Sequence, residues 1–320
     1  SLPASVHRFR AAVARSPAST RGALWMVLGA GLMAALAALI RSLSATLHPF
    51  EIAFFRSFLG LMFILPWLVR SGIPAARTKR LRLFSVRAAI GALAMLTWFY
   101  ALSIMPLADA VALSFTSPLF VTAGAALFLG EDVRARRWTA TVIGFCGAMI
   151  ILRPGAGTLS LAALLVIFAA ATMAAAGLMV KELSRTEPAK VIVLYMVLFM
   201  SPLTLIPALF VWRWPSPMEF AWLVGLAAVA TAGNFAYTRA IVEADISVVT
   251  PFDFVRLPFA AALGFFAFGE VPDRWTWIGG AVIATASIYV AHREARLERL
   301  GRKLPAAGAG GGDSTGPPGA

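Results

Sequence analysis

The stretch Phe115–Glu131, FTSPLFVTAGAALFLGE, is matched 139 residues later by Phe254–Glu270, FVRLPFAAALGFFAFGE. The two stretches share their first phenylalanine, another phenylalanine five residues on, and the closing Gly-Glu pair. Just upstream, Tyr100 and Tyr237 correspond at a slightly smaller shift. Alanine and phenylalanine are common in this chain, so the Gly-Glu ending carries most of the weight. We interpret the match as an internal repeat of two halves, with its boundary at 153–157.

The composition indicates a membrane protein. Hydrophobic residues make up 60% of the chain and charged residues only 13%, and the mean hydropathy is +0.81. A soluble domain contains about 25% charged residues. Because ~20 helical residues cross the ~30 Å of bilayer hydrocarbon, the apolar runs predict ten membrane spans. These are 23–40, 50–69, 84–104, 107–129, 138–152, 159–180, 191–211, 219–238, 246–268 and 275–291.

Lysine and arginine determine the predicted orientation. If the N-terminus is cytoplasmic, four of these residues face outside: Arg41, Arg153, Arg213 and Arg274. Two more, Arg56 and Arg256, lie within spans, and all the others fall on the inside. Membrane proteins concentrate lysine and arginine in their cytoplasmic loops. We therefore predict that both termini are cytoplasmic.

Each half contains five spans, an odd number, so the second half would enter the membrane from the opposite side to the first. The predicted fold is an all-α integral membrane protein, with ten transmembrane helices arranged as two inverted five-helix repeats. We divide the chain into a cytoplasmic N-terminal segment (1–22), a first repeat (23–153), a second repeat (159–291) and a cytoplasmic C-terminal region (292–320). In that last region, Arg293–Lys303 is expected to form a basic surface helix, followed by a disordered tail.

Several classes of function are disfavoured. The net charge of +13 does not indicate nucleic-acid binding, because the basic residues lie in short gaps between apolar runs rather than on one face. The single cysteine, Cys146, allows no intrachain disulfide, and the three histidines lie at or beyond span ends, so no metal site is predicted. The sequence lacks a G-x-x-x-x-G-K-[ST] phosphate loop, and we predict neither ATP use nor a cofactor.

Several short motifs accompany the repeat. They are Phe128-Leu-Gly-Glu131, Phe268-Gly-Glu270, Glu51…Phe54-Phe55-Arg56, Phe99-Tyr100-Ala101-Leu102 followed by Pro106, Arg153-Pro154, and Pro251-Phe-Asp-Phe-Val-Arg256-Leu257. With these motifs, the chain resembles the drug/metabolite transporter superfamily, EamA type, over about residues 22–292. The resemblance implies an inner-membrane carrier that works without ATP. The motif in span nine looks closest to members assigned to S-adenosylmethionine or riboflavin uptake.

Span nine contains an acid–base pair. Asp253 and Arg256 are three residues apart and share a face of a helix, and ionisable residues within a span are functional candidates. In one interpretation, Arg256 holds an anionic group of a substrate and Asp253 holds a cationic group or a proton. In the other, the two side chains neutralise each other and fix helix packing. Pro251 and Pro258 flank the pair and would free backbone carbonyls.

Span two carries Arg56 about two turns from its outer end. Its planar guanidinium suits a carboxylate or phosphate ligand. The alternative is that Arg56 extends outward to the membrane surface or pairs with Glu51. We favour that alternative, because an arginine near a span end reaches the surface at little cost.

Three other candidates come from repeat-related segments: Tyr100 in span three, and Asn234 and Tyr237 in span eight. Their rings and amide suit a pocket for a flat or cationic substrate, where a cation–π contact contributes ~0.5–2 kcal/mol. Alternatively they fill the bundle core, where a buried amide needs a polar partner. Glu131 and Glu270, which end spans four and nine, are expected to bond loop amides or nearby arginines.

The preferred hypothesis is a secondary carrier that moves a small polar metabolite across a bacterial inner membrane by alternating access. Its partners would be the bilayer and an amino-acid-like, vitamin or nucleoside-like solute, with homodimerisation left open. An exporter of the same fold is the alternative. A membrane-embedded enzyme would need His, Asp, Glu or Cys clustered near one interface, and a channel would need a charge ring or a carbonyl filter. The sequence shows neither pattern.

Overall fold

The computed structural model describes residues 18–71, 78–128, 135–152, 160–183, 185–187, 189–243 and 250–303. The helices are α1 (Ala18–Leu43), α2 (Pro49–Ser71), α3 (Leu81–Ile104), α4 (Leu107–Ser114), α5 (Ser117–Phe128), α6 (Ala135–Leu152), α7 (Leu161–Leu183), α8 (Ala189–Leu209), α9 (Pro217–Glu243), α10 (Arg256–Phe268) and α11 (Arg274–Lys303). A 3-10 helix, Thr250–Val255, leads into α10. The prediction of an all-α chain is confirmed for these ranges. Glu131, the repeat boundary and both chain ends lie outside them.

The surface of the bundle is apolar. Phe210 and Phe266 are 86% and 83% exposed, whereas the buried positions are dominated by alanine. Small residues let membrane helices approach closely, while large apolar side chains face lipid. Five helical stretches in the described ranges are long and apolar enough to cross a bilayer: Thr20–Leu43, Leu81–Ile104, Leu161–Val180, Val191–Leu209 and Pro217–Ala240. The chain is thus a multi-pass membrane protein, and the count of ten spans stays a prediction.

The main helix contacts are made between the two halves, and they come in equivalent pairs. Helix α1 packs on α9, and the equivalent pair α7 and α3 also pack together. Likewise α1 packs on α10, and α7 packs on α4 and α5. Two further large contacts, α2 with α8 and α6 with α11, join helices that are equivalent under the repeat. Exchanging the halves therefore reproduces the same helix pairings, so the repeat in the sequence is also a repeat of packing.

Predicted spans four and nine are not single continuous α-helices. The fourth is split into α4 and α5, and in the described part of the ninth the 3-10 helix Thr250–Val255 precedes α10. At the first break, the hydroxyls of Ser114 and Thr116 donate to the carbonyls three residues before them, at 2.7 and 2.8 Å. Pro118 and Pro258 follow the two breaks and have no N–H to continue an α-helical ladder.

The Gly-Glu pair that marks the repeat is a helix terminator. Gly269 has a left-handed φ of 68°, which glycine adopts without a Cβ clash. Its N–H donates to the Phe265 carbonyl at 3.0 Å, and the Glu270 N–H donates to the Gly264 carbonyl at 3.1 Å. The first of these two hydrogen bonds, made by a glycine in the left-handed conformation, is a common helix cap. It ends α10 and turns the Glu270 side chain toward the start of α4.

Candidate functional site

The two helix breaks meet inside the bundle. Phe115 and Phe254, the first residues of the two matched stretches, pack with ring centroids 4.6 Å apart. Arg256 lies at the first residue of α10, about 18 Å from the end of that helix at 1.5 Å per residue, which is more than half of the hydrocarbon thickness. Broken helices occur at membrane depth only where they are buried in protein or line a cavity. We call this meeting point the Phe115–Phe254 junction.

A chain of polar contacts crosses the junction. The Tyr237 hydroxyl on α9 donates to the Asp253 carboxylate. That carboxylate lies 3.9 Å from the Arg256 guanidinium, which donates to the Ser114 hydroxyl of the first half at 3.4 Å. The guanidinium also stands 4.8 Å from the centroid of the Phe115 ring. Asp253 lies in the 3-10 helix and Arg256 is the first residue of α10. Residues three apart share a face in either kind of helix, so the two side chains face each other.

This polar chain retains hydrogen-bonding capacity. The side chains of Asp253 and Arg256 are 25% and 22% exposed, and their separation of 3.9 Å is at the outer limit of an ion pair. The Arg256 Nε–H is buried without a hydrogen-bond partner among the described residues. A guanidinium has five N–H donors, and an ionised carboxylate only accepts. The junction therefore offers donors and acceptors side by side, next to aromatic rings.

Two of the predicted site residues, Tyr100 and Asn234, are not part of these polar contacts. The Tyr100 ring lies 6.4 Å from that of His48 and 6.2 Å from that of Phe50, between centroids. Asn234 is on α9, three residues before Tyr237, but its side chain is exposed. The argument that a buried amide needs a polar partner therefore does not apply to Asn234.

Arg56 lies in the interface between α2 and α3. Its NH1 group is 3.1 Å from the Met95 Sδ, and its Nε–H is buried without a hydrogen-bond partner in the described part of the chain. It does not pair with Glu51, because that carboxylate accepts the backbone N–H groups of His48, at 3.1 Å, and Arg213. The alternative favoured from sequence, pairing with Glu51 or reaching the surface, is not what the contacts show.

Arg87 is a candidate that the sequence-based prediction missed, because it was counted with the cytoplasmic loop. It lies in the second turn of α3, with its NH1 group 3.9 Å from the Met200 Sδ on α8. Its Nε–H is also buried without a partner among the described residues. The available signal was its position, since Arg87 lies inside the predicted span 84–104.

One end of the bundle is held by a charged cluster. Arg41, at the end of α1, pairs with Glu270 and donates to the Met105 carbonyl. The Glu270 carboxylate also accepts the Leu107 N–H at 2.9 Å. The expectation that Glu270 bonds a loop amide and a nearby arginine is confirmed. We call this cluster the Arg41–Glu270 junction.

The opposite end has its own ion pairs between the halves. Arg21 pairs with Glu243 at 2.9 Å, and Arg80 pairs with Glu182 at 3.4 Å. Each pair joins a residue of the first half to one of the second. The two arginines, Arg21 and Arg80, were both predicted to lie on the cytoplasmic side.

The fold and these contacts define a helical membrane protein built from two equivalent halves. The model of the EamA-like transporter family matches residues 20–153 and 160–291, and the chain belongs to that family, as the resemblance predicted. A solved crystal structure shares the fold with a TM-score of 0.59 at 19% identity, over 89% of this chain and 99% of that chain.

Relatives of this chain carry transporter names. It is 35% identical over 291 residues to a riboflavin transporter of Vibrio cholerae, covering 89% of this chain and 97% of that protein. It is 28% identical to an S-adenosylmethionine uptake transporter of Rickettsia bellii, covering 84% and 93%. It is 32% identical to a pseudopaline exporter of Pseudomonas aeruginosa, covering 83% and 94%. The family and these names indicate a transporter of small metabolites rather than an enzyme.

Proposed function

We propose that this protein is a secondary carrier of the bacterial inner membrane that takes up riboflavin or a solute of similar size and polarity. The Phe115–Phe254 junction carries the proposal, because a polar chain and two helix breaks from different halves meet there. Discontinuous helices at a repeat interface are typical of substrate sites in secondary transporters. The riboflavin transporter relative supports the choice of flavin, through its 35% identity over 89% of the chain.

In this proposal, ten helices cross the membrane as two inverted repeats, 23–153 and 159–291. The α4–α5 pair forms one broken span, and the 3-10 helix with α10 forms the other. The Arg41–Glu270 junction faces the periplasm, and 1–22 and 292–320 face the cytoplasm. The exchange of helix partners supports the repeat, and the grouping of ion pairs at two ends supports the assignment of sides.

The junction suits a flat, polar ring system. Phe115 and Tyr237 supply aromatic surfaces, the Arg256 guanidinium can donate to ring carbonyls, and Asp253 can accept from an imide N–H or a hydroxyl. Aromatic rings prefer offset or edge contacts, which a flavin ring can make with both side chains. Tyr100 and Asn234 remain predicted substrate contacts, although they do not belong to the chain of polar contacts at the junction.

Alternating access requires each end to open in turn. The halves are tied at the two ends by a few charged contacts, the Arg41–Glu270 junction at one and the Arg21–Glu243 and Arg80–Glu182 pairs at the other. Half-exposed ion pairs contribute only ~0–1 kcal/mol each, and the more shielded Arg41–Glu270 pair contributes about 1–2 kcal/mol. Such ties can break and reform, whereas extensive apolar packing would hold an end shut.

Uptake of labelled riboflavin into proteoliposomes tests the proposal. We expect saturable uptake that unlabelled riboflavin competes, with at least about a tenfold loss in Arg256→Gln, which removes a charged hydrogen bond. Arg82→Gln is the matched control, because Arg82 is an exposed arginine of α3. Absence of saturable flavin flux in either direction would refute riboflavin as the substrate.

Export is the second candidate direction, and the pseudopaline exporter relative favours it. Vesicles loaded with solute, with the protein in known orientation, separate the two directions. If transport toward the periplasmic face of the protein is faster than transport toward its cytoplasmic face, the protein is an exporter.

A further inference from the structure

Two half-buried arginines, each with a buried Nε–H, lie away from the Phe115–Phe254 junction, in one interface formed by α2, α3 and α8. The NH1 group of Arg56 is 3.1 Å from the Met95 Sδ. The NH1 group of Arg87 is 3.9 Å from the Met200 Sδ, and 3.6 Å from where a Cβ on Gly91 would stand. Gly91 and Met95 are one helical turn apart on α3, about 6 Å. The guanidinium groups of Arg56, from α2, and Arg87, from α3, therefore lie against successive turns of α3.

Neither arginine is neutralised within the described part of the chain. No carboxylate there forms an ion pair with Arg56 or Arg87, and the Nε–H of each is buried without an acceptor. Their contacts are to thioether sulfurs, which are weak acceptors. An unpaired charge inside a bundle is costly, and arginines retained within spans face ligand pathways or partners.

The same α3–α8 interface opens at its Arg80 end. A cavity of about 610 Å³ there is lined by Thr78, Lys79, Arg80, Thr186, Glu187 and Tyr195. The Tyr195 ring packs on Phe84, 4.8 Å between centroids, and Phe84 is three residues before Arg87 on α3. The lining combines two basic side chains with the acidic Glu187, and Arg80 is paired with Glu182. A polar cavity therefore adjoins the interface that contains Arg87.

We propose that Arg56 and Arg87 form a second subsite that binds a carboxylate or phosphate group of the transported solute. The inference rests on the proposed carrier function. Among solutes of the size and polarity of riboflavin, it favours those that carry an anionic group, which riboflavin itself lacks. Guanidinium groups bind carboxylate and phosphate through paired N–H donors, which would fill the hydrogen bonds that Arg56 and Arg87 lack.

Matched ligand pairs test the subsite. Binding to the full chain in nanodiscs of neutral phosphatidylcholine is measured for riboflavin against riboflavin 5′-phosphate, and for S-adenosylmethionine against its decarboxylated form. We expect the anionic member of a pair that binds to bind at least about tenfold more tightly, as one charged hydrogen bond implies. The preference should fall below about twofold in Arg56→Gln and in Arg87→Gln. It should persist in Arg82→Gln, an exposed arginine of the same helix.

A second measurement is independent of the solute. The Tm of the nanodisc protein should rise when inorganic phosphate replaces chloride at equal ionic strength, and the rise should vanish in the Arg56→Gln/Arg87→Gln variant. If Arg87→Gln does not reconstitute, Arg87→Lys is used instead; it keeps the charge without the fork and should weaken the preference, because only one of the paired N–H donors is replaced. Equal affinities within both pairs, with no phosphate-dependent Tm, overturn the subsite.

The outcomes separate the two proposals. Riboflavin flux without any preference for anions leaves the carrier function standing and removes the subsite. A phosphate-dependent Tm without flavin flux supports the subsite and removes the flavin assignment. Stabilisation by phosphatidylglycerol nanodiscs but not by free phosphate assigns the arginines to a lipid headgroup and overturns the solute subsite.

Discussion

In the proposed carrier, we expect the Arg41–Glu270 junction to control how readily one end of the bundle opens. In Glu270→Gln, a side-chain oxygen remains to accept the Leu107 N–H, but the ion pair with Arg41 is lost. The side chains of Arg41 and Glu270 are 20% and 18% exposed, so the pair is partly shielded from water. We expect it to contribute about 1–2 kcal/mol to the closed form, more than a fully exposed pair. Its loss should raise the ratio of open to closed molecules about 5- to 30-fold.

Cysteine labelling measures that ratio. Ala261 on α10 is 8% exposed and lines, together with Glu270, a cavity of about 210 Å³. Cys146 is the single cysteine, so Cys146→Ser followed by Ala261→Cys leaves one labelling site. Modification by a membrane-impermeant maleimide should be about 5- to 30-fold faster in Glu270→Gln, because labelling requires the open form. Glu270→Ala should label faster still, since it also leaves the Leu107 N–H without its acceptor.

The control is Glu219→Gln. Glu219 also pairs with an arginine, Arg213, but the side chain of that arginine is 54% exposed. We expect labelling at Ala261→Cys to change less than about twofold in this control. A labelling rate that Glu270→Gln leaves unchanged, or that both variants raise equally, would refute the reasoning that this ion pair holds the end closed.

Three further predictions test other parts of the molecule. Tyr237→Phe removes the neutral donor from the polar chain and should lower riboflavin uptake about tenfold at equal protein content, as measured in proteoliposomes; undiminished uptake would show that the hydroxyl is dispensable. A Cβ on Gly279 would lie 2.6 Å from the Gly147 carbonyl oxygen, so Gly279→Ala should lower the Tm measured in detergent, whereas Gly177→Ala has open space and should not; equal Tm values would contradict this. Burial lowers the pKa of His48 below its ordinary value of 6.5, opposed by the Glu51 charge, so the unfolded chain binds the proton more readily. The contribution of neutral His48 to stability should therefore be complete above pH 6.5 and should be lost as the pH falls below 6.5 toward the lowered pKa of the folded state. A Tm profile against pH that His48→Gln leaves unchanged would contradict this.

The repeat could be predicted from sequence because its marker has a local cause. Gly269 ends α10 through a left-handed turn that depends on only a few neighbouring residues. The helix breaks could not be predicted in the same way, because hydropathy reports burial and not the continuity of the backbone. Thr116 and Pro118 were the local signals of the first break, but neither interrupts the apolar run that contains them.

The candidate site was predictable only in part. Asp253 and Arg256 face each other in either kind of helix, so their spacing was sufficient to pair them. Ser114 and Tyr237 join them through contacts between distant segments, which no local pattern records. Arg87 was misassigned because lysine and arginine counts cannot distinguish a loop residue from one a single turn inside a span.

The contact between Phe115 and Phe254 has a consequence for the covalent connection of the chain. Each half presents its own phenylalanine to the equivalent one in the other half, as do α2 to α8 and α6 to α11. Such a contact has the form of an isologous dimer interface, in which a surface meets a copy of itself. Two fragments expressed separately, one ending after α6 and the other beginning before α7, would each carry one of the two matching surfaces and are expected to assemble.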